Sequence, residues 1–267
     1  MNFDISSKDN ARIKYIKKLI SNKSFRDEER RFVVEGLRLC LDAFVSAASI
    51  KEVYYTDAIC KKFPEKVKEL VDSSERVYKV SDEILKSISE TRTPQGIVCI
   101  CEKLDKHFDV NTINITGKFV ILEDIQDPAN LGTILRTAEA LGLDFVVMSR
   151  NCCDMYNAKV LRASMGAVFR VRVRSSENLC EDIKVLRTRG AKVYAAVPEN
   201  SAPPVTSVDW SSFSAVAIGN EGNGLSSELV ALCDKKVTIP MLGRAESLNA
   251  GMAAGILMWE MMRNSRG

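Results

Sequence analysis

Hydrophobic positions repeat first at helical spacing and then in short runs that are typical of strands. Over residues 10–23 the apolar side chains recur every three or four positions and lysines occupy the other faces, which predicts a helix. The segments 31–35, 50–56, 76–80 and 96–101 are rich in β-branched and aromatic residues, with helical patterns between them. The first hundred residues therefore predict a compact α/β unit.

A second series of apolar runs, at 119–122, 144–148, 168–173, 191–197 and 215–218, alternates with helical stretches. One of these helices covers 131–141, with Asp127 as N-cap and Pro128 at its first position. Such alternation predicts a mostly parallel sheet that is covered on both faces. We therefore predict a basic N-terminal helix over 1–29, a small α/β domain over 30–102, a linker over 103–117 and a larger α/β domain over 118–267. A single large α/β domain is the alternative.

Composition excludes several classes of protein and leaves others open. The hydrophobic content of 46% and charged content of 27% are ordinary for a globular protein. Eight cysteines at irregular spacings and the single His107 assemble no metal or redox motif, so we predict no metal. The N-terminus has no apolar leader and no run is long enough to span a bilayer, which predicts no membrane association and a cytoplasmic location.

Positive charge is concentrated in two windows although the net charge is only +3. Residues 1–38 hold ten Lys and Arg against six Asp and Glu, and residues 159–192 hold nine against three. Within the second window, Arg170, Arg172 and Arg174 alternate with apolar residues, so a strand would project them from one face about 6.6 Å apart. That spacing suits contact with successive phosphates of a nucleic acid. A solvated strand face is the equally weighted alternative.

Three loops rich in glycine, proline and polar residues occur in the last fifth of the chain, at 219–225, 239–241 and 246–250. Loops of this kind suit a small polar ligand that is held by backbone N–H and C=O groups. The glycine order in the first loop, G-x-x-G-x-G, and its late position argue against a dinucleotide fingerprint. A structural turn that needs positive φ would explain one such loop, but it explains the three together less well.

The helical segment 248–262 is apolar nearly all round, which predicts burial on more than one side. Gly251 and Gly255 would allow another helix to approach closely. Packing in the core and a homodimer interface both account for this pattern.

The combined pattern resembles the SpoU/TrmH group of RNA 2′-O-methyltransferases in the SPOUT superfamily. Its motifs look like residues 127–138, 218–225 and 239–251 in the same order, together with 159–166, and this resemblance covers 118–265. Residues 30–102 are similar to the substrate-binding α/β domain of such enzymes, with 32–36 as the clearest mark. The resemblance implies a C-terminal trefoil knot, S-adenosylmethionine as cofactor, an RNA substrate and a homodimer that completes the active site.

The resemblance also implies the residues of the site. The cofactor-binding residues are Gly219, Asn220, Gly222, Ile239, Pro240, Met241, Leu248 and Ala250. The catalytic set is Arg136, Asn130, Glu221, Ser247 and Asn249. Of the predicted RNA-binding arginines, Arg162 lies in the matched segment 159–166. The others, Arg170, Arg172 and Arg174, come from the alternating pattern and not from the resemblance.

The resemblance assigns to Arg136 the activation of the ribose 2′-OH. A guanidinium is a poor base, so we assign it to developing alkoxide charge or to the adjacent phosphate. Taken alone, an arginine at this position is more often a salt-bridge partner. The other four catalytic residues would orient the nucleotide and the loops.

The predicted activity is methylation of a ribose 2′-OH, most readily in large-subunit (23S) ribosomal RNA, because an appended N-terminal domain suggests structured RNA. A tRNA 2′-O-methyltransferase and a non-catalytic RNA-binding protein with a retained knot are the alternatives. A nucleotide-binding oxidoreductase is a distant third.

Overall fold

Two α/β units make up the chain in a computed structural model that describes residues 2–104, 108–111, 117–210 and 213–263. The N-terminal unit contains Met1–Asp105 and Tyr156–Phe169, and the C-terminal unit contains Lys106–Met155 and Arg170–Gly267. His107 and most of the predicted linker over 103–117 lie outside the described residues. The main departure from the predicted boundaries is that 156–169 belongs to the N-terminal unit.

The N-terminal unit is built on a five-stranded mixed sheet of order β1-β4-β3-β5-β2. Strands β1, β4 and β3 are parallel, whereas β5 pairs antiparallel with both β3 and β2. The strands are β1 (Asn2–Ile5), β2 (Arg31–Glu35), β3 (Ile50–Tyr55), β4 (Arg76–Val80) and β5 (Ile97–Glu102). The helices are α1 (Ala11–Ser21), α2 (Lys23–Glu29), α3 (Leu37–Val45), α4 (Asp57–Lys62), α5 (Pro64–Asp72) and α6 (Asp82–Ser87).

The prediction of a separate basic helix over 1–29 is wrong. The described residues of this segment form a strand and two helices, and all three belong to the N-terminal unit. Helix α1 buries Ile13, Ile16 and Leu19 in the same apolar cluster as the sheet residue Tyr54. The buried carboxylate of Glu52 on β3 accepts a hydrogen bond from Arg12 at 2.9 Å. The basic helix is therefore held both by its apolar face and by an ion pair whose carboxylate is buried.

The C-terminal unit contains an all-parallel six-stranded sheet of order β11-β9-β10-β6-β7-β8. Its strands are β6 (Lys118–Leu122), β7 (Phe145–Ser149), β8 (Val173–Ser176), β9 (Lys192–Ala196), β10 (Ser214–Ile218) and β11 (Lys235–Val237). Its helices are α7 (Pro128–Leu141), α9 (Leu179–Thr188), α10 (Ser227–Leu232) and α11 (Ala250–Met262), while α8 (Ala158–Ser164) belongs to the N-terminal unit.

Burial of both faces explains the continuous apolar runs of this sheet. Every residue of β6, β7 and β10 is buried. Phe119 and Phe145 stack at 4.4 Å between ring centroids within the core. Helices α7 and α11 pack together, and α11 also contacts β6 and β10, whereas α9 contacts β7, β9 and α10. This arrangement confirms the predicted parallel α/β sheet.

The predicted strand over 168–173 is wrong. Residues Ala167–Phe169 form a 3-10 turn, and β8 begins only at Val173, opposite Val146. Phe169 belongs to the N-terminal unit, where its ring lies 6.3 Å from that of Phe32. Because the segment serves two units, its alternating apolar residues do not share one sheet.

None of the helices in the described ranges has the length and apolar character that a membrane crossing requires. The eight cysteines are all described, and each is a free thiol. Among the residues that the structure describes, no group of three or more His, Cys, Asp and Glu side chains is arranged to hold a metal ion.

Candidate active site

A cavity of about 800 Å³ lies at the carboxyl edge of the C-terminal sheet. Its wall consists of the segments that follow β9, β10 and β11, and of the first turns of α11. Because all strands are parallel, these segments meet at one edge. The volume falls within the roughly 300–1,000 Å³ that is usual for small-molecule sites. We call this space the C-terminal cavity.

The glycine-rich loop after β10 is closed by its own backbone. Asn220 and Gly224 exchange two backbone hydrogen bonds of 2.9 and 3.0 Å. The Asn220 side-chain oxygen accepts from the N–H groups of Gly222 and Asn223. A Cβ atom on Gly219 would lie 2.1 Å from the carbonyl carbon of Gly224, so this position excludes any side chain. The loop can thus present its backbone to the cavity in one fixed form.

A line of side-chain hydrogen bonds joins the three predicted motifs, and we call it the Glu–Asn–Asn relay. Glu221 Oε1 accepts from Asn130 Nδ2 at 2.9 Å, and Asn130 Oδ1 accepts from Asn249 Nδ2 at 2.8 Å. The same carboxylate also accepts from the backbone N–H groups of Gln126 and Asp127. One connected network therefore fixes the loop after β6, the glycine-rich loop and the start of α11.

Glu221 is held in its ionised form by these donors. Partial burial alone would raise the pKa of its carboxyl group. The hydrogen bonds from Asn130 and from the backbone of Gln126 and Asp127 outweigh that effect and lower the pKa below 4.5. A carboxylate saturated in this way orients the loops and is poorly suited to accept a proton from a substrate.

Asn249 performs two tasks at the start of α11. Its side-chain oxygen caps the helix by accepting from Gly251 and Met252, while its amide nitrogen donates to Asn130. A Cβ atom on Gly251 would come within 3.4 Å of the side-chain oxygens of both asparagines. A glycine at this position therefore lets helix α11 approach α7 closely.

Most of the residues predicted to bind the cofactor line the C-terminal cavity. Those that do are Gly219, Asn220, Gly222, Ile239, Met241, Leu248 and Ala250. Pro240 is exposed and is not part of the wall, although both of its neighbours are. The sequence thus identified three of the segments that build this cavity.

The residues predicted to be catalytic separate into two groups. Glu221, Ser247 and Asn249 line the cavity, and Asn130 is tied to it through the relay. Arg136 is exposed on α7, does not line the cavity, and forms no hydrogen bond or ion pair within the described ranges. Its guanidinium is therefore available to a partner that the single chain does not supply, and the salt-bridge alternative has no support here.

Sequence reasoning missed the acidic residues directly after β6. The Glu123 carboxylate accepts from both the N–H and the hydroxyl of Ser226, the N-cap residue of α10, at 2.7 Å each. Asp124 adopts φ +55°, and its carbonyl oxygen accepts from the Asn220 side chain. Their position immediately after a buried strand was the available signal, since parallel strands end together.

A second omission lies on the cavity wall beyond β9. Glu199 and Lys236 both line the cavity and form a bidentate ion pair of 2.8 and 2.9 Å. Both side chains are partly exposed, so the pair contributes little to stability.

Arg170, Arg172 and Arg174 do not form the predicted row on one strand face. Arg170 pairs with Glu139 at 2.7 Å, and Arg174 forms a bidentate pair with Asp182 that raises the pKa of the arginine. Arg172 lies 5.2 Å over the ring of Phe108. Of these three only Arg174 lies in a strand.

Arg162 lies in the N-terminal unit, 3.6 Å from Glu90. The geometry therefore contradicts the evenly spaced row, while contact of any of these side chains with RNA stays a prediction.

Comparison with known proteins agrees with this architecture. A model described as the SpoU rRNA Methylase family matches residues 117–259, and one described as the MRM3-like substrate binding domain matches residues 10–99. The chain is 33% identical over 257 residues to 23S rRNA (guanosine(2553)-2'-O)-methyltransferase RlmP of Bacillus subtilis (strain 168), which covers 96% of this chain and 98% of that protein.

Two solved structures are similar over nearly the whole chain. An AdoMet-bound rRNA methyltransferase from Sinorhizobium meliloti gives a TM-score of 0.87 at 29% identity and covers 100% of this chain and 99% of that chain. The SpoU methyltransferase AviRb from Streptomyces viridochromogenes, in complex with AdoMet, gives 0.86 at 25% identity and covers 96% and 98%.

The parallel sheet, the cavity at its carboxyl edge and these likenesses define an α/β methyltransferase of the SPOUT class with an N-terminal substrate-binding domain. The chain belongs to the SpoU rRNA Methylase family. The resemblance and the fold class predicted from the sequence are both confirmed.

Proposed function

We propose that this protein is an S-adenosylmethionine-dependent RNA methyltransferase that modifies a ribose 2′-OH in 23S ribosomal RNA. The observation that carries the proposal is the convergence of all three motifs on the C-terminal cavity through the Glu–Asn–Asn relay. The family match and the 23S rRNA specificity in the name of the Bacillus relative support the same reaction and substrate.

The C-terminal cavity fits S-adenosylmethionine in its chemistry. Its wall combines the exposed backbone of the loop 219–224 with apolar side chains such as Ile239, Met241 and Leu248. Backbone N–H and C=O groups suit the polar parts of the cofactor, and the apolar side chains suit its adenine ring. When bound, the cofactor supplies an electrophilic methyl group.

The protein's own task is to position the ribose and to stabilise charge. Arg136 donates hydrogen bonds to the developing alkoxide or to the neighbouring phosphate, because a guanidinium keeps its proton at all relevant pH values. Ser247 lines the cavity and forms no hydrogen bond within the described part of the chain, so its hydroxyl can contact the nucleotide. Asn130, Glu221 and Asn249 act on the loops through the relay.

A homodimer completes the site in this proposal. Arg136 does not line the cavity of its own chain. Helix α11 exposes Met252, Ile256 and Trp259 at positions i, i+4 and i+7, with exposures of 61%, 38% and 55%. Three large apolar side chains on one helix face are unusual for a free surface and suit a second copy of the chain.

The N-terminal unit supplies RNA affinity, together with the basic windows that include Arg162, Arg170, Arg172 and Arg174. The match to a substrate-binding domain over residues 10–99 supports this role. The target lies in ribosomal RNA and the protein acts in the cytoplasm, where eight free thiols persist.

The test uses ribosomal RNA and tRNA purified from a strain that lacks the protein. With labelled S-adenosylmethionine, the purified protein should transfer methyl groups to 23S rRNA, and nuclease digestion should yield a 2′-O-methylnucleoside. Methylation of tRNA alone would show that tRNA, and not 23S rRNA, is the substrate. Cofactor binding without transfer to any RNA would contradict the proposal.

A further inference from the structure

A second cavity, of about 770 Å³, lies entirely within the N-terminal unit. Its wall is formed by the first turns of α3, by α4 with the start of α5, and by residues 94–96 before β5. We call it the N-terminal pocket. The members of its wall that matter here are Arg38, Thr56, Lys62, Phe63, Lys66 and Gly96.

The charge of the N-terminal pocket suits a phosphate-bearing ligand. Arg38, Lys62 and Lys66 are exposed, and none of them forms an ion pair with any other described residue. Asp42 and Asp82 also line the wall, so three cations face two carboxylates. Unpaired cations around a concave surface attract polyanions.

An aromatic ring lies among these cations. Phe63 is half-buried, and the Nζ atoms of Lys62 and Lys66 lie 5.4 and 5.7 Å from its ring centroid. A partly exposed ring beside flexible lysines offers a face on which a base can stack while the ammonium groups contact its phosphates.

The inner wall holds hydrogen-bonding capacity that the protein does not use. Thr56 is only 1% exposed, and its hydroxyl has no partner among the described residues. A Cβ atom on Gly96 would come within 2.9 Å of that hydroxyl oxygen, and Gly96 also has φ +86°. The side-chain amide oxygen Oε1 of Gln95 accepts from Leu37 N–H, which leaves the side-chain NH₂ group for another partner.

We propose that the N-terminal pocket binds one unstacked nucleotide of the RNA substrate. The base lies against Phe63, its polar edge meets Thr56 and Gln95, and its flanking phosphates lie near Lys62 and Lys66. Single-stranded and bulged RNA bases are recognised by this combination of stacking and edge contacts. The inference rests on the proposed function, because it assigns part of that RNA substrate to a defined site.

The experiment measures binding of the full chain to 23S rRNA purified from a strain that lacks it. Phe63→Ala should raise the Kd at least about fivefold, the lower end of the effect of a stacked base. Phe63→Tyr should remain within about twofold, since the ring is kept. Ultraviolet crosslinking of the wild-type complex should attach RNA to the peptide that contains Phe63, while the Kd for S-adenosylmethionine stays unchanged.

Lys62→Glu and Lys68→Glu form a matched pair. Both lysines are exposed and lie close together in the chain, but Lys68 is not part of the wall. Lys62→Glu should weaken RNA binding and reduce its salt dependence, whereas Lys68→Glu should do so much less.

Wild-type RNA affinity in Phe63→Ala, or equal effects of the two lysine variants, would overturn the pocket. Intact RNA binding by the wild type without methyl transfer would count against the proposed function alone. Failure of the wild type to bind this RNA would overturn both.

Discussion

Arg136 is the residue whose substitution should separate chemistry from cofactor binding. It is exposed and outside the cavity wall, so Arg136→Ala should abolish methyl transfer while the Kd for S-adenosylmethionine changes by no more than a few-fold. Methylation assays and isothermal titration measure the two quantities. Arg136→Lys is the control that keeps the charge but loses the planar fork, and it should retain only a small part of the rate. Turnover at the wild-type rate in Arg136→Ala would refute the assignment.

Glu221 should make stability depend on pH through the Glu–Asn–Asn relay. Its pKa is lowered in the folded protein, so its contribution is complete above pH 4.5 and is lost as the pH falls through the folded-state pKa. Glu221→Gln should therefore cost about 1 kcal/mol at pH 7, a modest value because the side chain is exposed. The difference from the wild type should shrink as the pH falls below 4.5.

Urea unfolding at pH 7 and in mild acid measures this difference. Glu246→Gln is the matched control, because Glu246 is exposed in the same unit and forms no hydrogen bond or ion pair with a described residue. A penalty for Glu221→Gln that persists unchanged in acid would show that the charge has no part in it.

At the scale of elements, α11 divides into two faces. Ala254, Leu257, Met258 and Met261 are buried, whereas Met252, Ile256 and Trp259 are exposed. The buried face of α11 agrees with packing in the core, and its exposed apolar face agrees with a homodimer interface.

Ile256→Glu should disrupt the proposed dimer, because it places a charge on the exposed apolar face without touching the buried one. Analytical ultracentrifugation should show a shift from dimer to monomer with a loss of methyl transfer. Thr188→Glu, which adds the same charge at an exposed position on α9, should leave the dimer intact. A wild-type protein that sediments as a monomer would discard the interface.

Arg170 and Arg172, which lie before β8, allow a test of whether the basic window 159–192 binds RNA. Combined reversal by Arg170→Glu and Arg172→Glu should weaken RNA binding several-fold and flatten its salt dependence, with cofactor affinity unchanged. Arg150→Glu is the control, since Arg150 is likewise exposed and paired with a glutamate but lies outside the window 159–192. Unchanged RNA affinity would remove these two arginines from the RNA surface.

For the whole molecule, the decisive question is whether one chain contains a complete site. Arg136→Ala should be inactive because it lacks the guanidinium. Leu248→Trp should also be inactive, because the larger side chain on the wall fills part of the C-terminal cavity. If Arg136 serves the cavity of the partner, each mixed dimer of the two variants contains one intact site out of two. Random pairing of equal amounts makes about half of the dimers mixed, so the mixture should recover about a quarter of wild-type activity. Absence of recovery, with mixed dimers verified, would place both groups of residues in the same chain.

Local pattern was enough to predict much of this protein. The runs at 119–122, 144–148 and 215–218 became buried parallel strands, and Asp127 with Pro128 began α7 as expected. The three motifs also line one cavity or connect to it, as their residue types indicated. Strand burial and helix capping depend on neighbours in the chain, so the sequence contains their signal directly.

The wrong prediction of a strand over 168–173 arose because local pattern does not show which unit a segment joins. Val168 and Phe169 alternate with arginines as a strand would, yet they belong to a segment that contributes to the other unit. An alternating pattern predicts which side chains are buried, but it does not predict which part of the molecule packs against them.

The sequence by itself indicated the family through the resemblance of its ordered motifs. It also determined the parallel α/β architecture and three of the segments that build the C-terminal cavity, because periodicity, capping and loop composition are local properties of the chain. Only the tertiary structure decided that Glu221, Asn130 and Asn249 form one hydrogen-bonded line, and that Arg136 stays outside the cavity of its own chain. Those facts depend on contacts between residues about a hundred positions apart, and such contacts are set by packing and not by local pattern.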